Sequence, residues 1–201
     1  MDQLENNTNQ SVNVNYKIRP LTKNDVSACR NICLSTARNA DITNKKIVNR
    51  LLCLYCDYYL EFPDDTCFVI ADDNDVAVGY VFCAPDYKRY EKSYRKHFLK
   101  KLIKISIIDW IGKRLELRYH RRFIRHPAHL HINILPIAQR KGLGHQLIGT
   151  LEKKLFDLGV RGLHLAVGKG NEKGISFYKK YGFSYLGMRA GTVFFGRTIS
   201  E

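Results

Sequence analysis

Two glycines in the second half of the chain lie where a helix is predicted to begin, and this setting favours phosphate binding. An apolar segment, 130–135, ends at a proline, and the motif Gln139-x-x-Gly142-x-Gly144 follows. Apolar residues then recur at helical spacing; they are Leu143, Leu147, Leu151 and Leu155. The free N–H groups and dipole of a helix N-terminus attract anions, and glycine lets a phosphate approach the backbone. Residues 139–145, the phosphate cradle, are therefore predicted to bind a pyrophosphate.

A second motif follows the predicted strand 162–167. It reads Asn171-x-x-Gly174-Ile175-x-Phe177-Tyr178-x-x-x-Gly182-Phe183. Together the two motifs resemble the GNAT superfamily of N-acetyltransferases, whose pyrophosphate loop reads Gln/Arg-x-x-Gly-x-Gly/Ala and whose next helix carries Asn-x-x-Ala/Gly-x-x-Phe-Tyr before Gly-Phe. The resemblance implies acetyl-CoA as cosubstrate. The cofactor-binding residues that it implies are Ile134, Leu135, Gln139, Arg140, Lys141, Gly142, Leu143, Gly144, His145, Asn171 and Tyr178.

Tyr178 is the candidate general acid. Acetyl transfer to an amine leaves a thiolate that must be protonated. A phenol with a pKa of about 10 can return a proton to this thiolate, whose thiol has a pKa of about 8.5. In the resembled family a tyrosine at this position often does so. Because Phe177 and Tyr181 flank it on the same predicted helix, the alternative is a core aromatic residue.

Histidines supply the candidate bases. Alternation along the predicted strand places His129, His131 and Asn133 on one face, and His164 lies on the adjoining strand. His131 and His164 are the candidates, although burial with hydrogen bonds is the commoner role of such histidines. The stretch from His126 onward further resembles the branch containing the acetyltransferase-like domain of O-GlcNAc hydrolases and its free-standing bacterial relatives. That branch usually has an aspartate where this chain has Asn133. Asparagine has no carboxylate and cannot act as such a base.

The predicted elements run β-α-α-β-β, an insertion, then β-α-β-α-β-β, as in the resembled superfamily. Strands are predicted at 16–21, 67–71, 76–83, 130–135, 162–167, 184–186 and 192–197, and the first two helices at 25–36 and 45–59. The expected fold is α/β (α+β): a three-layer GNAT-type fold with a central, twisted, mixed and mostly antiparallel sheet of six or seven strands flanked by helices. We expect a frayed tail at 1–14 and one acetyltransferase domain over 15–201.

A basic, helical insertion is predicted between the third and fourth strands, at 87–126. It carries fourteen basic and three acidic residues, hence net charge +11 of the chain's +14. Aromatic residues are interleaved with the charges. One interpretation is a solvated excursion whose aromatic residues pack on the sheet; the others are an acceptor platform for an acidic substrate, or a membrane-surface helix. Basic charge also suits nucleic acid, but no nucleic-acid-binding module is present and we do not expect that partner.

Six cysteines lie in the first half of the chain. Cys29-x-x-x-Cys33 and Cys53-x-x-Cys56 could form a four-sulfur zinc site, but the same spacings repeat on buried helical faces. We therefore expect reduced structural thiols, no metal and a cytoplasmic location. No run of eighteen apolar residues is present, so no transmembrane helix is predicted.

The sequence thus predicts an acetyl-CoA-dependent N-acetyltransferase in which a primary amine attacks the thioester directly. The acceptor is expected to be a small-molecule amine or an exposed amino group, with acidic character as one option, and the chain a monomer or homodimer. The alternative is a catalytically weak pseudo-acetyltransferase or binding module that docks an acidic partner on the insertion. Asn133 favours this alternative, whereas the phosphate cradle and Tyr178 favour the enzyme.

Overall fold

The computed structural model describes residues 14–200, so the tail predicted at 1–14 lies almost entirely outside the described residues. Within this part of the chain no helix is both long and apolar enough to cross a membrane.

A seven-stranded sheet runs through the centre of the described chain. Its strands are β1 (Lys17–Pro20), β2 (Phe68–Ala71), β3 (Ala77–Ala84), β4 (Ala128–Ile134), β5 (Gly162–Gly168), β6 (Ser184–Arg189) and β7 (Thr192–Thr198). Their order across the sheet is β1-β2-β3-β4-β5-β7-β6. All neighbours are antiparallel except β4 and β5, which are parallel. The predicted mixed, mostly antiparallel sheet is confirmed.

Eight α-helices in residues 14–200 cover both faces of this sheet. They are α1 (Val26–Ser35), α2 (Lys45–Tyr55), α3 (Asp57–Glu61), α4 (Tyr87–His97), α5 (Leu99–Ile105), α6 (Ile107–His120), α7 (Leu143–Asp157) and α8 (Glu172–Tyr181). Buried residues of α7 and α8 form one core with the first face. Buried residues of α1 to α6 form a second core with the opposite face. The predicted three-layer arrangement is therefore present.

The central strand β3 shows why both faces need a helical layer. All eight of its residues are buried. Since side chains alternate along a strand, Val81 and Cys83 enter the core under α7, whereas Tyr80 and Phe82 enter the core of the α1–α6 layer. Such a strand is stable only when both faces are removed from water.

One predicted element differs from the structure. The single helix expected at 45–59 is wrong, because the chain leaves helical geometry at Cys56 (φ −128°, ψ −58°) and divides into α2 and α3. The break lets Cys56, Tyr58 and Tyr59 all become buried. A continuous helix would turn one of these neighbours toward solvent, so tertiary packing outweighs helix continuity here.

The insertion between β3 and β4 consists of α4, α5 and α6. Its aromatic side chains Tyr87, Tyr90, Tyr94 and Phe98 are buried in the second core. The part of the first interpretation that places aromatic residues of the insertion in the core is therefore present in the structure, and the acceptor platform and the membrane-surface helix stay predictions. Most of its basic residues lie on the outer surface, with the buried Lys113 as an exception.

The cysteines do not form the four-sulfur site that the sequence left open. All six are free and buried. Within residues 14–200, the one group of three or more His, Cys, Asp or Glu side chains that is arranged like metal ligands contains no cysteine. The six cysteine thiols instead fill the core. Burial raises the pKa of the Cys67 thiol to about 11.

Substitution of Gly162 tests whether the backbone of β5 lies in close contact with the end of the insertion. A Cβ at this position would overlap the Arg125 carbonyl oxygen and lie 3.1 Å from the His126 Cα. Because these contacts are backbone atoms, Gly162→Ala is expected to lower the free energy of unfolding by about 2 kcal/mol or more. Urea denaturation measures the change.

Gly168, at the other end of the same strand, is the matched control. A Cβ there meets no atom within 4 Å, so Gly168→Ala should leave the free energy of unfolding within about 0.5 kcal/mol of the wild-type value. Equal effects of the two substitutions would contradict the close approach of Gly162 to the insertion.

Candidate active site

The candidate site begins where β4 and β5 stop pairing. Only two residue pairs join these parallel strands, Ala128 with Leu163 and His129 with His164. Beyond them β4 continues to Ile134 along β3, while β5 continues along β7. The two strands therefore diverge, and the gap that opens between them is called the slot below.

Backbone groups of β4 face this slot. The Leu135 N–H donates to the Val78 carbonyl oxygen at 2.9 Å, on the β3 side. Since consecutive N–H groups of a strand point to opposite sides, the Ile134 N–H points away from β3, toward the slot. The Ile134 carbonyl oxygen accepts from Gln139 Nε2 at 2.7 Å. Of the two predicted β4 contacts, Ile134 thus offers a free backbone donor and Leu135 does not.

The phosphate cradle lies at the mouth of the slot, before the first turn of α7. Two of its residues, Arg140 (φ 61°) and Gly142 (φ 75°), adopt the left-handed conformation, which turns successive N–H groups toward the same side, as in an anion-binding nest. Within the described chain, the backbone N–H groups of residues 140–144 donate no hydrogen bond. Five consecutive free donors at a helix N-terminus, with Lys141 exposed beside them, fit a pyrophosphate.

The two glycines of the cradle have different roles. A Cβ on Gly142 would have nothing nearer than Gln146 Nε2 at 4.0 Å, so its surface is open to a ligand. A Cβ on Gly144 would lie 3.2 Å from the Phe177 ring. Gly144 therefore lets α8 approach the start of α7. His145 is exposed, and its ring lies 4.4 Å from that of Tyr181.

The next motif positions α8 beside the cradle. Asn171 caps this helix, since its Oδ1 accepts from the Gly174 N–H at 3.0 Å. The cap fixes the start of the helix that carries Tyr178. Tyr178 is buried in the core beneath α7 and α8, where burial raises the pKa of its phenol above the ordinary value. It therefore stays protonated at neutral pH, as an acid must.

The predicted base His131 lies on the opposite face of the sheet. Its ring stacks on Tyr55 at 5.7 Å, and Asn133 Nδ2 lies 3.3 Å from His131 Nε2 and donates to the Tyr80 hydroxyl at 2.9 Å. Burial, and secondarily the charge of Lys113, lowers the pKa of His131 to about 4. His131 is thus neutral at pH 7.

His164 is placed less favourably for a base. Its Nδ1 lies 2.6 Å from the His126 carbonyl oxygen and its Nε2 lies 2.8 Å from His120 Nδ1. The side chain has no exposed surface. Because both ring nitrogens are engaged, the prediction of His164 as base is not supported by its surroundings.

Tyr55 and Tyr80 are neighbours of the site that sequence reasoning missed. Tyr80 pairs with Asn133 through the register of β3 against β4, and Tyr55 reaches His131 from the end of α2. No local motif marks either residue. The alternation of aromatic residues along β3 was the available signal, but it specifies a face and not a partner.

The chain belongs to the acetyltransferase (GNAT) family, whose model matches residues 40–183. This family uses acetyl-CoA, so the predicted cosubstrate is confirmed at the level of the family. The branch containing O-GlcNAc hydrolase domains stays a prediction.

Three solved structures illustrate the likeness. The crystal structure of SsHAT has a TM-score of 0.82 at 24% identity and covers 92% of this chain and 99% of that one. The phosphinothricin acetyltransferase of Sinorhizobium meliloti, in complex with AcCoA, has a TM-score of 0.55 at 15% identity, covering 92% and 89%. The ribosomal-protein-S18-alanine N-acetyltransferase of Escherichia coli has a TM-score of 0.56 at 16% identity, and the match covers 93% of this chain and 96% of that one. At these identities the likeness shows a shared fold.

Gly142→Glu tests the phosphate cradle. The substitution places bulk and negative charge where the free N–H groups converge, so acetyl-CoA binding is expected to be lost in calorimetric titration. Gly159→Glu is the matched control, because Gly159 (φ 76°) is also left-handed and lies just beyond the other end of α7, with no atom within 4 Å of a Cβ. Normal binding by the Gly142 variant, or equal loss in both, would contradict the assignment.

Proposed function

We propose that this chain is an acetyl-CoA-dependent N-acetyltransferase that moves the acetyl group to a primary amine by direct attack on the thioester. The observation that carries the proposal is the run of free N–H groups at residues 140–144 beside the open slot. Residues 140–142 are exposed, so water can satisfy their N–H groups until an anion replaces it, whereas an unpaired donor deeper in the slot is costly without a partner. The diphosphate of acetyl-CoA would accept from the N–H groups of the cradle, and the extended pantetheine chain would pair with the backbone groups of β4 that face the slot.

The first step is to hold and polarise the thioester. In the proposed complex the cradle residues Gln139 to His145 bind the pyrophosphate, and the Ile134 N–H donates to the carbonyl oxygen of the acetyl group. As the amine attacks, negative charge develops on that oxygen. A fixed N–H donor aimed at such charge is commonly worth about 3 kcal/mol of barrier reduction.

Protonation of the leaving thiolate is assigned to Tyr178. Its phenol lies on the α8 side of the sheet, on the helix whose start Asn171 fixes near the cradle. Because burial raises its pKa, the hydroxyl carries its proton throughout the neutral range. Transfer of that proton to sulfur releases coenzyme A as the thiol and leaves a phenolate, which must regain a proton from solvent after the products leave. The raised pKa also makes Tyr178 a weaker acid than a free phenol.

The amine must lose a proton before or during the attack. A lysine-like amine is only about one part in two thousand neutral at pH 7. His131 is the proposed acceptor, since it is neutral and lies on the face opposite Tyr178. A pKa of about 4 makes His131 a weak base. We therefore propose two routes: some amine molecules lose the proton to water before they bind, and others lose it to His131 in the site.

Tyr178→Phe tests the assignment of the acid. Removal of the hydroxyl is expected to lower kcat by about a hundredfold or more, the usual contribution of a general acid, while the KM for acetyl-CoA changes little. Steady-state release of coenzyme A thiol with an amine panel measures both constants.

Tyr181→Phe is the control on the same helix. Its hydroxyl donates to Glu152 at 3.0 Å, away from Tyr178, so kcat should stay near the wild-type value. A Tyr178 variant with unchanged kcat would assign the residue to the core alone.

A second candidate function rests on Asn133. The chain would then be a pseudo-acetyltransferase, or a weak one, that uses the basic surface of α4 to α6 to dock an acidic partner. Asn133 stands where a carboxylate would be needed beside His131, and its amide is bonded to Tyr80. An amide at this position cannot accept a proton from an amine.

Asn133→Asp separates the two candidates. For an active acetyltransferase we expect wild-type turnover with at least one amine, and the substitution changes the rate only modestly. A pseudo-acetyltransferase would bind acetyl-CoA without turnover until the carboxylate is introduced. Asn74→Asp, in the exposed β2–β3 turn, controls for the added charge.

A further inference from the structure

Three buried histidines meet beneath the closed end of the slot. His120 ends α6, His129 lies on β4 and His164 lies directly opposite it on β5. They are 2%, 8% and 0% exposed. One ring nitrogen of each lies within 4.8 Å of the other two, and the ring centroids are 5.0 to 5.2 Å apart. We call these residues the histidine cluster.

The outward nitrogen of each ring faces an acceptor. Nδ1 of His164 lies 2.6 Å from the His126 carbonyl oxygen. Nδ1 of His129 lies 3.0 Å from the Tyr59 hydroxyl. Nε2 of His120 lies 3.7 Å from Glu116 Oε1. Backbone carbonyls and carboxylates commonly orient metal-binding imidazoles in proteins, because they hold the proton on the nitrogen that does not bind the metal. The oxygen of the Tyr59 hydroxyl can accept from His129 in the same way.

When all three imidazoles are uncharged, their hydrogen bonds leave one ring nitrogen of the histidine cluster without a partner. His164 must donate from Nδ1 to the carbonyl, so its Nε2 has a lone pair and accepts from His120 Nδ1 at 2.8 Å. His120 then has no proton on Nε2, and that nitrogen is buried without a hydrogen-bond partner. Its lone pair faces the carboxylate of Glu116. Such an arrangement is costly in a site removed from water.

We propose that the histidine cluster binds a divalent transition-metal ion, with Zn²⁺ the best fit. The ion would take Nδ1 of His120, Nε2 of His164 and the free Nε2 of His129. His120 would then carry its proton on Nε2 and, once the 3.7 Å separation from Glu116 Oε1 shortens, donate to that carboxylate. Imidazole nitrogens suit Zn²⁺, and three of them form a common zinc ligand set with a fourth position for water.

Zinc binding requires the three rings to adjust, because their candidate nitrogens are at present only within 4.8 Å of one another. Two nitrogens bonded tetrahedrally to one zinc ion lie about 3.3 Å apart, given bonds of about 2.0–2.1 Å. His120 Nδ1 and His164 Nε2 are 2.8 Å apart, so a rotation of one ring opens the bond. Glu116 is held in place by Lys113, whose Nζ lies 2.7 Å away.

The position of the cluster indicates a structural ion. His129 and His164 form the last pair before β4 and β5 diverge, and His120 belongs to the insertion. An ion bound there would fasten α6 to the closed end of the slot. This inference does not rest on acetyl transfer, since none of the three ligands is required in the chemistry proposed above.

Metal titration of the full chain tests the proposal. After treatment with a chelator, Zn²⁺ is expected to bind in one equivalent and to raise the Tm. Co²⁺ should give visible bands of a nitrogen-ligated ion without a thiolate charge-transfer band, because the cysteines take no part. His120→Gln and His129→Gln should weaken binding by about a hundredfold or more. His97→Gln, at the far end of α4 from the cluster, should leave it unchanged.

A second measurement needs no substitution. Long-range ¹H–¹⁵N NMR of the wild-type chain reports which ring nitrogen carries the proton. On addition of Zn²⁺, His120 should change from the Nδ1–H to the Nε2–H tautomer while His164 keeps its Nδ1 proton. Absence of saturable binding, a thiolate band with Co²⁺, or unchanged His120 signals on zinc binding would each overturn the proposal.

Discussion

The loss of pairing between β4 and β5 is the constraint on which the rest of the structure depends. A parallel pair that ends after two residue pairs leaves backbone donors and acceptors inside the fold, and such groups are normally satisfied. Each strand is therefore fixed from its other side, β4 by β3 and β5 by β7. The gap persists because both strands are already paired elsewhere. This opening leaves the Ile134 N–H unpaired by a neighbouring strand, with the phosphate cradle following a few residues along the chain.

Local sequence patterns predict the parts of this arrangement that local physics fixes. The glycines and the leucine spacing predict that a helix begins near Gly142, and α7 begins at Leu143, directly after this residue. Alternation correctly assigns His129, His131 and Asn133 to one face of β4. The order of strands and helices, the mixed sheet and the packing of aromatic residues from the insertion also follow from periodicity and from the resemblance to the superfamily.

The features that sequence did not predict depend on contacts between distant segments. The break at Cys56 occurs because burying Tyr58 and Tyr59 together outweighs helix continuity, and no capping residue announces it. His164 is one of two equivalent candidates in the sequence. Its surroundings, which do not support a role as base, include His120, which lies 44 residues away in the insertion and which no sequence pattern connects to it. Register, which brings Tyr80 to Asn133, is equally non-local.

The separation of the two faces has a consequence for the order of chemical events. Tyr178 belongs to the core under α7 and α8, whereas His131 and Asn133 belong to the α1–α6 face. In the proposed mechanism the amine therefore loses its proton on the α1–α6 face, and the thiolate expelled from the tetrahedral intermediate is protonated on the α7–α8 face. A covalent acetyl-enzyme would instead need a reactive thiolate at the slot. Burial raises the pKa of Cys29 to about 12 and of Cys67 to about 11, and a protonated thiol is a poor nucleophile. A hydrogen bond with Cys56 lowers the pKa of Cys33, but this thiol is buried in the second core. The burial of these thiols is consistent with the direct attack by the amine that we propose.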